Sequence, residues 1–204
     1  MRKLLFIDCC IRGEASRTKR IADAFFGALD KRTFEIERLD LSSLNLLPLN
    51  KERLEYREEL HVQGRLSDPF FDLAKQFATA DLIVIAAPFW DMGIPAILKT
   101  YLENVSVSSI TFGADETGYF GGLCRAEKMV YFTTRGFDIA DETELEQASP
   151  YLKALVAFFG IRGFDMISVM GTDILPKEEV ERSLVDAEKR AKQLARNLSL
   201  VDNL

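Results

Sequence analysis

Residues 82–101 read LIVIAAPFWDMGIPAILKTY, and the order of residue types in that stretch decides the fold. Leu82, Ile83, Val84, Ile85, Ala86 and Ala87 form an apolar run that stops at Pro88. A short continuous run of this kind predicts a strand buried on both faces. Phe89, Trp90, Asp91, Met92 and Gly93 follow as a short aromatic loop, and Trp90 is the only Trp of the chain. Pro95 then opens a helical stripe of Ile94, Ile97, Leu98 and Tyr101, with Pro near the first turn. Loops at the carboxyl ends of buried strands are where open α/β sheets bind ligands. This loop offers an aromatic face and a row of backbone N–H groups, which suit a flat ring system with polar edges.

On either side of this unit the same alternation recurs. Residues 3–7 read as a first strand, followed by a polar loop over 8–17 and a helix with the stripe Ile21, Ala24, Phe25, Ala28 and Leu29. Residues 33–39 alternate Phe34, Ile36 and Arg38 against Glu35 and Glu37, the pattern of an edge strand with one wet face. Residues 40–66 carry no single period and read as an inserted excursion, partly helical around 51–60. Asp68 and Pro69 cap the next helix, with Phe70, Ala74, Phe77 and Ala78 on its stripe. After the central unit, 108–123 reads as a hairpin-like excursion with short β pieces at 110–112 and 119–120. A fourth strand at 128–133 leads through an acidic loop to a helix begun by Ser149 and Pro150 and ended by Gly160. A fifth strand at 163–169 and a long helix after Pro176 complete the chain. Strands alternating with helices predict one α/β domain over residues 1–204, a three-layer sandwich around a five-stranded parallel sheet of order 2-1-3-4-5. In that order the loops after strands one, three and four lie side by side on one edge.

Composition narrows the chemistry. The net charge of -6 and pI near 5.0 exclude nucleic acid as the main partner. No apolar run approaches the ~20 residues of a membrane span. The first apolar run ends at Asp8, too short for a signal peptide. Cys9, Cys10 and Cys124 are odd in number and lack CxxC spacing, which predicts a reduced, cytoplasmic protein with structural cysteines. The single histidine, His61, excludes multi-His metal sites and reads as a surface residue in a charged, loop-like segment. No metal site is expected.

The first loop runs into a helix N-terminus, which presents free N–H groups and the positive end of a dipole to an anion. Ser16 and Thr18 add hydroxyls, and Arg12 and Arg17 add charge. The single Gly13 rules out the glycine-rich dinucleotide and P-loop patterns. Ser16 or Thr18 taken alone reads first as a helix cap, and Glu14 opposes a bare anion site. In the third loop Trp90 reads alternatively as a core or dimer-contact aromatic, and Asp91 as a cap for the following helix. In the fourth, Thr134, Arg135 and Gly136 form either an ordinary turn or a site where backbone meets ligand. A receiver-type phosphoacceptor domain would want an acid at the end of strand three, where this chain has Ala86-Ala87-Pro88.

These motifs together resemble the flavodoxin-like FMN-dependent NAD(P)H:quinone and azo reductases, above all the bacterial NADH-azoreductases. The carriers are Ser16-Arg17-Thr18, the run from Ala87 through Phe89-Trp90-Asp91-Met92-Gly93 to Lys99, Ile110-Thr111-Phe112 before Gly118-Tyr119, and Thr134-Arg135-Gly136. The likeness spans nearly the whole chain. It implies FMN, with its phosphate held by the first loop (Cys9, Arg12, Ser16, Arg17, Thr18). Pro88, Phe89, Trp90, Asp91 and Met92 would wrap the ring, and Thr134, Arg135, Gly136 and Phe137 would close its polar edge. It further implies a substrate pocket with Tyr119 and Phe120 and a homodimer with active sites at the subunit interface. NADH or NADPH would be the donor and a quinone, azo or nitro compound the small-molecule acceptor, in two-electron ping-pong transfer. No side chain is needed as a dedicated acid or base, because the cofactor carries the chemistry. Family members often carry Ser at Cys9, Asn at Asp91 and a second Gly at Phe137. Two other readings stay open: a flavodoxin-type electron carrier, and a flavin-free regulatory protein on the same fold.

Overall fold

The computed structural model describes residues 1–114, 116–118 and 120–200. Strands β1 (Arg2–Asp8), β2 (Phe34–Asp40), β3 (Leu82–Ala86), β6 (Lys128–Thr134) and β7 (Phe164–Val169) form one parallel sheet of order β2-β1-β3-β6-β7. Counting only the strands of this sheet, that is the predicted order 2-1-3-4-5. A separate antiparallel pair, β4 (Phe112–Ala114) and β5 (Phe120–Gly122), forms the hairpin between β3 and β6.

Strand alternation sends residues to two apolar layers. Leu4, Phe6, Val84 and Phe132 face α1 (Arg17–Ala28) and α6 (Lys177–Leu200), packing on Ile21, Phe25 and Leu184. Leu5, Ile7, Ile83, Ile85 and Tyr131 face α3 (Asp72–Thr79), α4 (Ala96–Val105) and α5 (Ala148–Phe158). Each large apolar side chain so buried contributes about 1.5–3 kcal/mol. All five residues of β3 are buried, as its continuous apolar run requires, while β2 lies at the edge with exposed positions along it.

Two elements depart from the sequence reading. The excursion carries a full helix, α2 (Lys51–Val62), capped by Asn50 and burying only Leu60 fully. Arg53 ties it to Asn104 of α4 at 3.1 Å, so polar contacts stand in for an apolar stripe. His61 therefore sits on a helix, half-buried, with Nε2 3.3 Å from the Ser109 hydroxyl. The helix after the acidic loop begins at Ala148 rather than Ser149. Its start is held by Glu146, whose Oε1 accepts the N–H groups of Ala148 and Ser149 at 3.0 and 2.9 Å. The hairpin docks backbone to backbone on the end of α5: a Cβ at Gly122 would lie 2.0 Å from Gly160 N.

Candidate functional site

The loops after β1, β3 and β6 meet at one edge of the sheet around a cleft of about 200 Å³, and the loop after β7 joins them. In the first loop Asp8 Oδ1 accepts the Cys10 N–H at 2.8 Å, and a 3-10 turn over Gly13–Ala15 delivers the chain to α1. Ser16 is the helix cap: its hydroxyl accepts the Lys19 N–H at 3.2 Å and its carbonyl the Arg20 N–H at 3.1 Å. The N–H groups of Arg17 and Thr18 in the first turn have no acceptor within the helix, which leaves them for an anion. Thr18 is fully buried, and its hydroxyl lies 2.8 Å from that of Thr134. Glu14 is taken up by Lys19 at 2.8 Å, and the contacts with Glu14 and Asp23 raise the Lys19 pKa. The acid that opposed an anion site is thus paired outside the cleft lining.

The β3 loop supplies the aromatic wall. Phe89 N–H donates to the Thr134 carbonyl at 3.1 Å, fixing Phe89 against the end of β6. Trp90 and Gly93 exchange backbone hydrogen bonds at 3.1 and 2.8 Å around Asp91 (φ 49) and Met92 (φ 64). Two central residues of positive φ make this a type I′ turn, whose usual residues are Asn and Gly. Asp91 does not cap the next helix, because α4 starts after Pro95 with no side-chain cap. Pro88, Phe89 and Trp90 line the cleft, whereas the exposed Asp91 and Met92 do not.

The β6 loop is split by alternation. Thr134 and Gly136 line the cleft. Arg135, expected at the cofactor, turns the other way and is fully buried behind Phe89, with its Cζ 5.3 Å from the ring centroid. Phe137 is 67% exposed and stands outside the cleft lining. Gly136 lies close against the exposed Asp173 side chain, whose carboxylate would have to shift to admit a Cβ there.

Of the residues expected at the cofactor, Arg12, Ser16, Arg17, Thr18, Pro88, Phe89, Trp90, Thr134 and Gly136 come together. Cys9 is a correction. It follows Leu5 and Ile7 onto the α3–α5 face and is buried in that core, while Cys10 lines the cleft in its place. The side chains of Asp91, Met92, Arg135 and Phe137 stand outside the lining. Phe120 stacks on Phe158 at 5.1 Å on the hairpin, away from the cleft, and Tyr119 lies outside the described residues. The sequence reading missed Thr172 and Asp173, which reach the cleft from the loop after β7. The signal for them was Gly171-Thr172-Asp173 at the end of the fifth strand, the same edge as the other loops.

The cleft thus offers a helix N-terminus with Arg12, Arg17 and the hydroxyls of Ser16 and Thr18, an aromatic side of Phe89 and Trp90, and Thr134 in contact with both Thr18 and Phe89. That donor set fits a phosphate joined to a flat ring. A family model described as the flavodoxin-like fold matches residues 2–195.

The chain belongs to this flavodoxin-like family.

Within the flavodoxin-like family, the chain is similar to the FMN-dependent NADH:quinone oxidoreductase of Clostridium beijerinckii. The two are 36% identical over 200 residues, covering 97% of this chain and 100% of that one. The FMN-dependent NADH:quinone oxidoreductase of Coprothermobacter proteolyticus is 34% identical, covering 96% and 99%. Among solved structures, an azoreductase from Bacillus anthracis str. Sterne superposes with a TM-score of 0.84 at 22% identity, covering 97% of this chain and 100% of that one. An FMN-dependent NADH-azoreductase from Bacillus anthracis str. Ames Ancestor, in complex with FMN, gives 0.81 at 23% identity, covering 98% and 100%. These two likenesses carry the fold.

Proposed function

We propose that the protein is an FMN-dependent oxidoreductase that takes electrons from NADH and reduces quinones, azo or nitro compounds two electrons at a time. The observation that carries this reading is the single cleft in which an anion-ready helix start faces an aromatic loop. Arg12, Arg17, Ser16, Thr18 and the free N–H groups of the first turn of α1 would hold the phosphate. Pro88, Phe89 and Trp90 would bound the ring, and Thr134 and Gly136 its polar edge. When bound, FMN supplies the redox chemistry. The chain's own part is to bind, to orient and to exclude water. No histidine lines the cleft, and His61 is engaged with Ser109, so no side chain is assigned as acid or base. Donor and acceptor would share the one open side of the cleft. The first product then leaves before the second substrate enters, and initial-rate lines run parallel.

The full reading is one domain over residues 1–204, acting as a cytoplasmic homodimer. Three free cysteines suit a reducing compartment, and among the described residues no helix is long and apolar enough to cross a membrane. The exposed Phe120 and Leu123 on the hairpin suit a contact with a second copy. Light scattering at tens of micromolar tests the dimer. Titration of apo-protein with FMN and with riboflavin tests the cofactor. Preference for FMN is expected. Equal binding would remove the phosphate assignment, and no binding of either flavin at micromolar levels would remove the reading.

A further inference from the structure

Arg135 is the bulkiest fully buried side chain among the described residues, and it carries a charge. A guanidinium out of water is tolerated only when its surroundings are built for it. Here Nη1 donates to the Ile139 carbonyl at 2.6 Å, and Nη2 lies 2.6 Å from Asp141 Oδ1 and 3.7 Å from Glu146 Oε1. Glu146 is itself fully buried and holds the first N–H groups of α5. Ile139, Asp141 and Glu146 of the acidic segment 138–147 thus converge on this one cation. Neither Nε nor Nη2 has a hydrogen-bond partner, so Asp141 and Glu146 hold Nη2 as ion pairs, and the remaining face of the guanidinium lies on the Phe89 ring, Cζ to centroid 5.3 Å.

The Phe89 N–H donates to the Thr134 carbonyl at 3.1 Å, and the Met92 carbonyl accepts the Gln147 N–H at 2.9 Å. The turn that carries Trp90 is thus fastened at both ends to what Arg135 organises: the Phe89 ring and the end of the acidic segment. We propose that Arg135 is a positioning residue, a buried cation that fixes the aromatic wall of the cleft from behind without touching the molecule bound there. In its flavin arm the proposal rests on the cofactor reading above. It assigns the acidic segment a role as well, as the counter-charge that keeps the cation in place.

Trp90 is the only Trp, so its emission and its quenching by acrylamide report this turn alone. Arg135→Lys keeps the charge and loses the planar fork, and Arg135→Met keeps bulk and loses the charge. Asp141→Asn loosens the cation from its half-exposed partner and leaves the core intact. In apo-protein, Trp90 quenching should rise in all three variants. Affinity for FMN and riboflavin should fall by the same factor, about tenfold for the Arg135 variants and less for Asp141→Asn. Unchanged Trp90 quenching in folded Arg135→Lys overturns the proposal. So does a loss confined to FMN, which would place the guanidinium at the phosphate. If neither Arg135 variant folds, Asp141→Asn decides: unchanged quenching and unchanged flavin affinity overturn it. If the unaltered protein binds neither flavin, the cofactor reading fails, and the Trp90 measurement still decides the positioning role.

Discussion

The hydroxyls of Thr18 and Thr134 lie 2.8 Å apart, joining the first turn of α1 to the end of β6 inside the cleft. The pair ties two loops whose spacing sets the cleft width. Thr18→Val leaves the Thr134 hydroxyl without its partner and should cost about 1–2 kcal/mol in urea unfolding. The double variant Thr18→Val/Thr134→Val should cost less than the two single changes added, with a coupling of about 1 kcal/mol. Strict additivity would show that the contact contributes nothing.

Asp91 and Met92 both sit at positive φ in the turn closed by Trp90 and Gly93. A Met in that region carries about 1–2 kcal/mol of steric cost, partly offset by the chain entropy a Gly would lose. Met92→Gly should therefore stabilise the protein by about 0.5 kcal/mol on balance. Asp91→Asn should be neutral, because Asn enters this region readily and the carboxylate stands outside the cleft lining. Flavin affinity should be unchanged in Asp91→Asn. A large gain would place that carboxylate against the ring.

The cysteines give the stability a pH dependence. Burial pushes the Cys10 thiol up to about 12 from 9.0; contact with the Ser16 hydroxyl opposes the shift and the nearby Asp8 adds to it. Burial raises Cys124 to about 12, and raises Cys9 well above its ordinary value with help from Cys10, Asp8 and Asp40. A raised thiol pKa means that the folded state prefers the proton, while the unfolded chain loses it near 9.0. The stabilisation is complete below that value and declines as pH rises toward 12, by about 1.4 kcal/mol per pH unit for each thiol. Urea unfolding between about pH 8 and about pH 10.5 should show the decline, and Cys10→Ala should make it shallower. An equal slope in Cys10→Ala would show that this thiol titrates freely.

Much of the fold was legible because its strands are buried on both faces and read as unbroken apolar runs, as in β1 and β3. The helix α2 was only half legible: Leu60 alone is fully buried on it, and polar links to α4 leave no period to detect. At the site, period-two alternation already separates Cys9 from Cys10, since Cys9 continues the face of Leu5 and Ile7. Arg135 was not legible. A positively charged residue in a loop beside a phosphate site reads as a ligand contact, and only the folded acidic segment shows that its charge is spent internally on Asp141 and Glu146. Asp173 was hidden for the opposite reason, since an acid is not sought beside an anion.

Asp173 bears directly on affinity. Its carboxylate lines the cleft and pairs with Arg17 Nη1 at 2.7 Å, with both side chains substantially exposed. A phosphate at the start of α1 would meet the attraction of Arg17 and the repulsion of Asp173 together. Asp173→Asn removes the repulsion and releases Arg17, and Asn retains the size that fits against Gly136. Because the pair is solvent-screened, the gain is modest: FMN should bind about two- to fivefold tighter, while riboflavin, without a phosphate, should be unaffected. The gain should shrink as salt is raised from about 0.01 M to about 0.15 M. The measurement is a titration of apo-protein with both flavins at two ionic strengths. Weaker FMN binding in Asp173→Asn would show instead that the carboxylate holds Arg17 in its binding position, and a shift shared by riboflavin would show that Asp173 acts on the ring end.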